Sequence, residues 1–245
     1  MRPFQTYTYL RSCGGRFLDQ LLPRHCVLCG RASGQGNLCT PCHADLPRLT
    51  HACPGCALPV ATRPAALCGR CLVRSPPWTH AVAALEYRYP ADWLVRRFKF
   101  NRDFCCGGVL ALEMAAAIGR SHAARPDFLV PVPLHRLRHF GRSFNQAELL
   151  ARQLSRSTGI PVRDRLLFRR RRTRAQSGLD ATGRRRNIRG AFGCSGGAVA
   201  VLAGAHAGLI DDVMTTGATL SECAKTLRRA GAARVTVWVA ARAPA

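Results

Sequence analysis

From Gly208 to Leu220 the chain reads Gly-Leu-Ile-Asp-Asp-Val-Met-Thr-Thr-Gly-Ala-Thr-Leu, and no other stretch constrains the fold as tightly. A short apolar run ends in two adjacent carboxylates, then come a turn of small, hydroxyl-bearing residues and an amphipathic stretch. That order predicts a buried strand, a loop and a helix start, the repeating unit of layered α/β folds. Neighbouring carboxylates that are partly buried repel each other and require donors or cations. Vicinal hydroxyls of a sugar meet that requirement. The N–H groups at a helix N-terminus, backed by threonine hydroxyls, suit a phosphate monoester. The residues therefore point to a phosphorylated ribose, with Asp211 and Asp212 at its hydroxyls. Thr215, Thr216, Gly217, Ala218 and Thr219 would hold its phosphate, and Gly217 and Ala218 leave the approach open. No G-x-x-x-x-G-K-[ST] string occurs, which argues against a Walker-type nucleotide site.

The preceding residues continue the alternation. Residues 81–87 read as a strand, and Trp93, Leu94, Val95 and Phe98 as one face of a helix. Residues 109–118 predict a second helix. Residues 127–130 predict a buried strand halted by Pro131 and Pro133, and residues 144–154 a helix with Ala147, Leu150, Ala151 and Leu154 on one face. A helix over about 218–230 and a strand over 235–239 complete the pattern. Strands alternating with helices predict a mainly parallel sheet flanked by helices. Such sheets bind ligands at the carboxyl ends of their strands, where Asp211-Asp212 and the turn from Pro131 to His135 would lie.

Eight of the thirteen cysteines fall between Cys26 and Cys71, in a Gly- and Pro-rich stretch. Their spacing is Cys26-x-x-Cys29, Cys39-x-x-Cys42, Cys53-x-x-Cys56 and Cys68-x-x-Cys71. A two-residue gap brings both thiolates of a turn to one side of a metal, and two turns complete the tetrahedral S4 site that zinc prefers. One or two structural zinc ions are expected. Sequential and interleaved pairings are both feasible; sequential pairing closes the shorter loops and is the expectation. Cys13, Cys105, Cys106, Cys194 and Cys223 lack this spacing and are expected to pack as small hydrophobes. The paired prolines of Arg74-Ser75-Pro76-Pro77 mark the end of the cysteine module.

The formal charge of +24 is carried almost wholly by arginine, since Lys99 and Lys225 are the only lysines. Such a field favours polyanions, either nucleic acid or phosphorylated small molecules. No run approaches the length of a membrane span, and residues 1–22 lack the apolar centre of a signal peptide, so the cytoplasm is the expected compartment.

At residues 209–220 the chain resembles the type I phosphoribosyltransferases, whose signature is an apolar run, two acids and Thr-Thr-Gly-(Ser/Ala)-Thr. The resemblance implies that Asp211 and Asp212 contact the ribose of phosphoribosyl pyrophosphate (PRPP), that the 215–219 loop holds its 5-phosphate, and that Mg²⁺ accompanies the ligand. It also implies a pyrophosphate-binding loop at Val132, Pro133, Leu134 and His135. The cysteine pairs, the Pro-Pro-Trp linker, Phe98-Lys99-Phe100, Val130-Pro131-Val132-Pro133-Leu134 and Phe144-Asn145-Gln146 narrow this to a resemblance to the ComF family of competence-associated proteins. That likeness covers about residue 20 onward. Residues 1–22 read as an N-terminal amphipathic segment, and the likeness implies a double zinc ribbon over 23–74 and a phosphoribosyltransferase-like α/β domain over 78–245. It also implies a role in DNA uptake or handling, with PRPP or a phosphoribosylated small molecule, single-stranded DNA and competence-machinery proteins as partners. The acceptor of any phosphoribosyl transfer is not implied.

Between Arg163 and Arg189 lies an arginine-rich insert where type I enzymes carry a loop that closes over PRPP. Arg184, Arg185 and Asn187, in the part that follows the family pattern, are expected to serve pyrophosphate. The Arg169–Arg172 run is freer to meet nucleic acid. Two functions are thus carried forward. One is a PRPP-binding protein, catalytic or not; the other is a nucleic-acid-binding protein that keeps the PRPP fold as sensor or scaffold.

Overall fold

The computed structural model describes residues 24–34, 36–60, 67–134, 144–170 and 188–244. Residues 1–22, His135, Arg184, Arg185 and Asn187 fall outside them. The chain divides into two compact units, Met1–Leu46 and Pro47–Ala245.

In the first unit, β1 (Arg24–His25) pairs antiparallel with β2 (Ala32–Gly34), and a single-turn helix α1 (Thr40–Ala44) follows. The tight turn between the strands passes through Gly30 at φ +74°, a left-handed conformation that glycine adopts at no steric cost. Cys26 and Cys29 belong to this turn, Cys39 caps α1 and Cys42 lies within it.

The second unit opens with the other two cysteine pairs, the second on α2 (Gly69–Val73). It continues as β3 (His80–Glu86), α3 (Ala91–Asn101), α4 (Phe104–Arg120), β4 (Phe128–Pro131), α5 (Gln146–Thr158), β5 (Leu167–Arg169), β6 (Phe192–Cys194), α6 (Ala198–Leu202), β7 (His206–Met214), α7 (Ala218–Arg229) and β8 (Arg234–Arg242). The main sheet has the order β3-β8-β7-β4 and all three pairings are parallel. β5 and β6 form a separate antiparallel ribbon. The expected mainly parallel sheet flanked by helices is therefore present, and a cysteine module precedes it.

Strand periodicity sorts the core. Val235, Val237 and Val239 of β8, Leu209 of β7 and Val130 of β4 join Leu220, Cys223 and Leu227 of α7 in one apolar cluster. Alternate positions, including Trp238, Ile210 and Leu129, are equally buried, and α4 and α5 pack against the sheet. Both faces are thus covered, as a parallel sheet requires. Cys106 and Cys223 are fully buried as small hydrophobes, Cys194 is half-buried, and Cys105 is exposed.

Candidate functional site

β7 does not end at its acids. Its ladder with β8 continues through Asp211↔Val239, Val213↔Ala241 and Met214↔Arg242, so the loop begins at Thr215. Backbone pairing to a central neighbour outweighs the polar side chains, which the period-two alternation sends to opposite faces of the strand. Asp212, 6% exposed, turns to α3, where Lys99 Nζ lies 2.7 Å from its Oδ2. Asp211 shares the face of Leu209, and its Oδ1 accepts the Asp212 N–H at 2.9 Å. Burial, then the charge of Asp212, push the Asp211 carboxyl up to about 7, against the opposing pull of Lys99 and Arg169.

After β7, residues 215–217 form the loop and α7 starts at Ala218. Gly217 caps the helix at φ +72°, with no side-chain cap, and Thr216 Oγ1 accepts the Ala218 N–H at 3.4 Å. The N-terminus of a twelve-residue helix thus faces the loop. Beside it lies a cavity of about 880 Å³, lined by Thr216, Gly217, Ala218 and Ser221 on one side. Arg70, Arg74, Arg189, Lys225 and Arg242 make its walls cationic, with Glu222 as the acidic member. The Glu222 carboxylate is already engaged, accepting the Gly190 N–H at 2.8 Å.

The segment Val132, Pro133 and Leu134 leaves the same edge of the sheet as the acids, since Val132 N–H donates to Ile210 O at 2.9 Å. The Phe144-Asn145-Gln146 motif fixes its surroundings. Asn145 caps α5 by accepting the Ala147 N–H (3.1 Å) and donates through Nδ2 to Val132 O (3.1 Å). Gln146 donates to Lys99 O at 3.4 Å, and Phe144 stacks against Phe98 and Phe104. One tripeptide therefore holds both the turn after β4 and the lysine that faces Asp212.

Sequence reasoning named neither Lys99 nor Lys225 nor Arg242 as site residues. The signal was available for the first two. In a chain whose basic residues are otherwise all arginine, both lysines stand at this site. Of the Arg169–Arg172 run, Arg169 stacks on Phe192 (5.5 Å) and Arg170 on Phe168 (5.8 Å), so both cover the β5–β6 ribbon. Arg171 and Arg172 lie outside the described residues.

The eight paired cysteines fall into two groups, Cys26, Cys29, Cys39 and Cys42, then Cys53, Cys56, Cys68 and Cys71. This is the sequential pairing. Within each group the sulfurs all lie within 4.8 Å of one another, with Cys29–Cys39 and Cys56–Cys68 at 3.6 Å. A zinc tetrahedron with bonds of about 2.3 Å has S···S edges of about 3.8 Å, so both groups fit the ion. The thiols differ in acidity. Burial opposes it, yet backbone N–H groups of Cys39, Cys29 and Leu28 hold Cys26 down at about 6. Cys42, Cys56 and Cys71 are all raised, chiefly by burial. With all four positions filled by protein, each site is structural in kind.

Residues 17–72 match the double zinc ribbon domain family. The chain is 36% identical over 227 residues to the DNA utilization protein YhgH of Escherichia coli (strain K12), covering 90% of this chain and 98% of that one. It is 38% identical over 184 residues to competence protein F of Haemophilus influenzae, covering 72% of this chain and 78% of its relative. Among solved structures, the glutamine PRPP amidotransferase from B. subtilis is similar over 55% of this chain and 26% of that chain, at 21% identity and a TM-score of 0.37. Among the described residues, no helix is long and apolar enough to cross a membrane.

Proposed function

The chain belongs to the ComF family of competence proteins, and on that footing we propose that it binds Mg-PRPP at the end of β7 and serves DNA uptake or handling. One juxtaposition carries the proposal. Two acids, one of them held near neutrality, stand directly before a phosphate-sized loop at a helix N-terminus, beside a cationic cavity. The Thr215–Thr219 loop would receive the 5-phosphate. Asp211 and Asp212 would receive the ribose hydroxyls, whose donors favour the ionised carboxylates. Val132, Pro133 and Leu134, held by Asn145, would border the pyrophosphate, together with His135, Arg184, Arg185 and Asn187. When bound, Mg²⁺ neutralises pyrophosphate oxygens and so favours their departure. The chain's own residues bind and orient the sugar. Structural zinc in the two cysteine groups holds the N-terminal turns.

The test is calorimetric titration of the zinc-loaded chain with Mg-PRPP. Micromolar binding that is lost in Asp211→Asn/Asp212→Asn supports the reading, and equal affinity in the two proteins defeats it. Pyrophosphate release with a panel of acceptors separates an enzyme from a sensor. A salt-dependent shift of single-stranded DNA tests the nucleic-acid role, and no binding at low salt removes it.

A further inference from the structure

The Cys53-Pro54-Gly55-Cys56 turn presents three consecutive carbonyls to the α/β body of its own unit. Pro54 O accepts the Ala81 N–H at 2.8 Å, Gly55 O accepts Trp78 Nε1–H at 2.6 Å, and Cys56 O accepts Arg242 Nε–H at 2.8 Å. Two of these donors reach onward to the phosphate loop. Arg242 Nη1 donates to Met214 O at 3.0 Å and to Thr215 O at 2.5 Å. The far edge of the Trp78 ring lies 3.4 Å from where a Cβ on Gly217 would stand.

The turn itself is tight against its cluster, because a Cβ on Gly55 would come within 3.0 Å of Cys71 Sγ. The Cys68 N–H also donates to Cys53 Sγ at 3.2 Å. The position of the Gly55 and Cys56 carbonyls therefore depends on how the four sulfurs are gathered. Arg242 is 3% exposed and is held by backbone carbonyls from both the turn and the end of β7. An apolar side chain would fill that space at less desolvation cost but could not bind carbonyls of two elements at once.

We propose that Arg242 and Trp78 are positioning residues that make the second metal cluster a support of the phosphate loop, so that metal at Cys53, Cys56, Cys68 and Cys71 sets the loop's affinity for an anion. A loop whose N–H groups are held in place before binding loses less freedom on binding. When the metal leaves, nothing gathers the four sulfurs, the turn relaxes, and both struts lose one end. The anion's identity as a phosphoribosyl compound rests on the proposed function; the mechanical link does not. The bonds run wholly within Pro47–Ala245, whereas the first cluster belongs to the other compact unit.

The experiment uses the full zinc-loaded chain and the variants Arg242→Met, Trp78→Phe, Cys68→Ser and Cys39→Ser. Amide exchange over residues 213–221 is read without ligand, beside zinc content and affinity for ribose 5-phosphate. Trp78→Phe and Arg242→Met should keep both zinc ions yet exchange about tenfold faster in this stretch and bind about tenfold more weakly. Cys68→Ser should lose one zinc and show the same loop signature, and Cys39→Ser should lose one zinc without it. Unchanged exchange in folded Trp78→Phe and Cys68→Ser overturns the proposal, and these two decide it if Arg242→Met does not fold. Failure of the wild type to bind ribose 5-phosphate or PRPP defeats the phosphoribose reading alone, because exchange still reports the support.

Discussion

Replacing Asp211 by asparagine should stabilise the ligand-free protein at pH 8 while abolishing PRPP binding. In the folded chain the Asp211 carboxyl holds its proton to about pH 7, chiefly because it is buried and secondarily because Asp212 is adjacent. In the unfolded chain the same group ionises near its ordinary value of 3.8. Between those limits the folded state binds more protons, so stability falls as pH rises through the window. The cost is absent below about pH 4 and complete above about pH 7. A gap of about three pH units at roughly 1.4 kcal/mol each gives a ceiling of about 4 kcal/mol. Solvent reaches part of this side chain, so about 2–4 kcal/mol is the expected gain. Asparagine resembles the protonated acid in shape and can keep accepting the Asp212 N–H. The assay is guanidinium unfolding of zinc-saturated protein at pH 5 and pH 8. The three tryptophans, Trp78, Trp93 and Trp238, all lie in Pro47–Ala245, so their fluorescence reports that unit. Asparagine should be stabilising at pH 8, and at pH 5, with about 1.2 of the three pH units crossed, should give roughly two fifths of that gain. Destabilisation at pH 8, or the same effect at both pH values, would refute the account of a strained acid kept for a ligand.

Other outcomes follow from single contacts. Lys99→Met leaves Asp212 buried beside a second acid without its 2.7 Å partner, and should cost about 2–4 kcal/mol in the same unfolding assay at pH 8. An unchanged midpoint would mean that the pair contributes nothing. Gly217→Ala forces a side chain into φ +72° against Trp78, so a loss of about 1–2 kcal/mol and weaker Mg-PRPP binding are expected; a stabilised protein would contradict the loop geometry. Native mass spectrometry should find two zinc ions per chain, with one lost in Cys39→Ser and another in Cys68→Ser, and a folded protein lacking zinc would remove both metal sites.

Much of the framework was legible because it is local. The alternation of apolar runs placed β3, β4, β7 and β8 and the helices α3, α4, α5 and α7, though not α6 or the β5–β6 ribbon, and a two-residue cysteine gap encodes its own geometry. Both pairings were feasible in the sequence; shorter loops favoured the sequential one, which the sulfur positions have. The length of β7 was not legible: two acids look like a strand's end, but β8 continues alongside and supplies the backbone partners. Arg242 was invisible for a different reason. It lies 186 residues from Cys56, and one arginine among so many carries no mark of being buried. Lys99 did carry such a mark in its rarity, yet only the fold brings α3 to Asp212. Aromatic contacts likewise tie Arg169 and Arg170, in a run that reads as freer to meet nucleic acid, to the β5–β6 ribbon.

The strand order also dictates a schedule for synthesis. Among the described strands, β3 pairs with β8 alone, although β4 and β7 both emerge before β8. On the ribosome, the earlier-made residues 47–49 can bridge one edge of β3, but its other edge waits unpaired until residues 234–242 arrive to lie between it and β7. The cysteines of both clusters emerge long before that and can capture metal while the sheet is incomplete. Non-local closure of this kind folds slowly and exposes strand edges meanwhile. A nascent chain stalled before β8 would present a finished metal module attached to an open, aggregation-prone half-sheet, which makes the last strand the step on which the yield of folded protein turns.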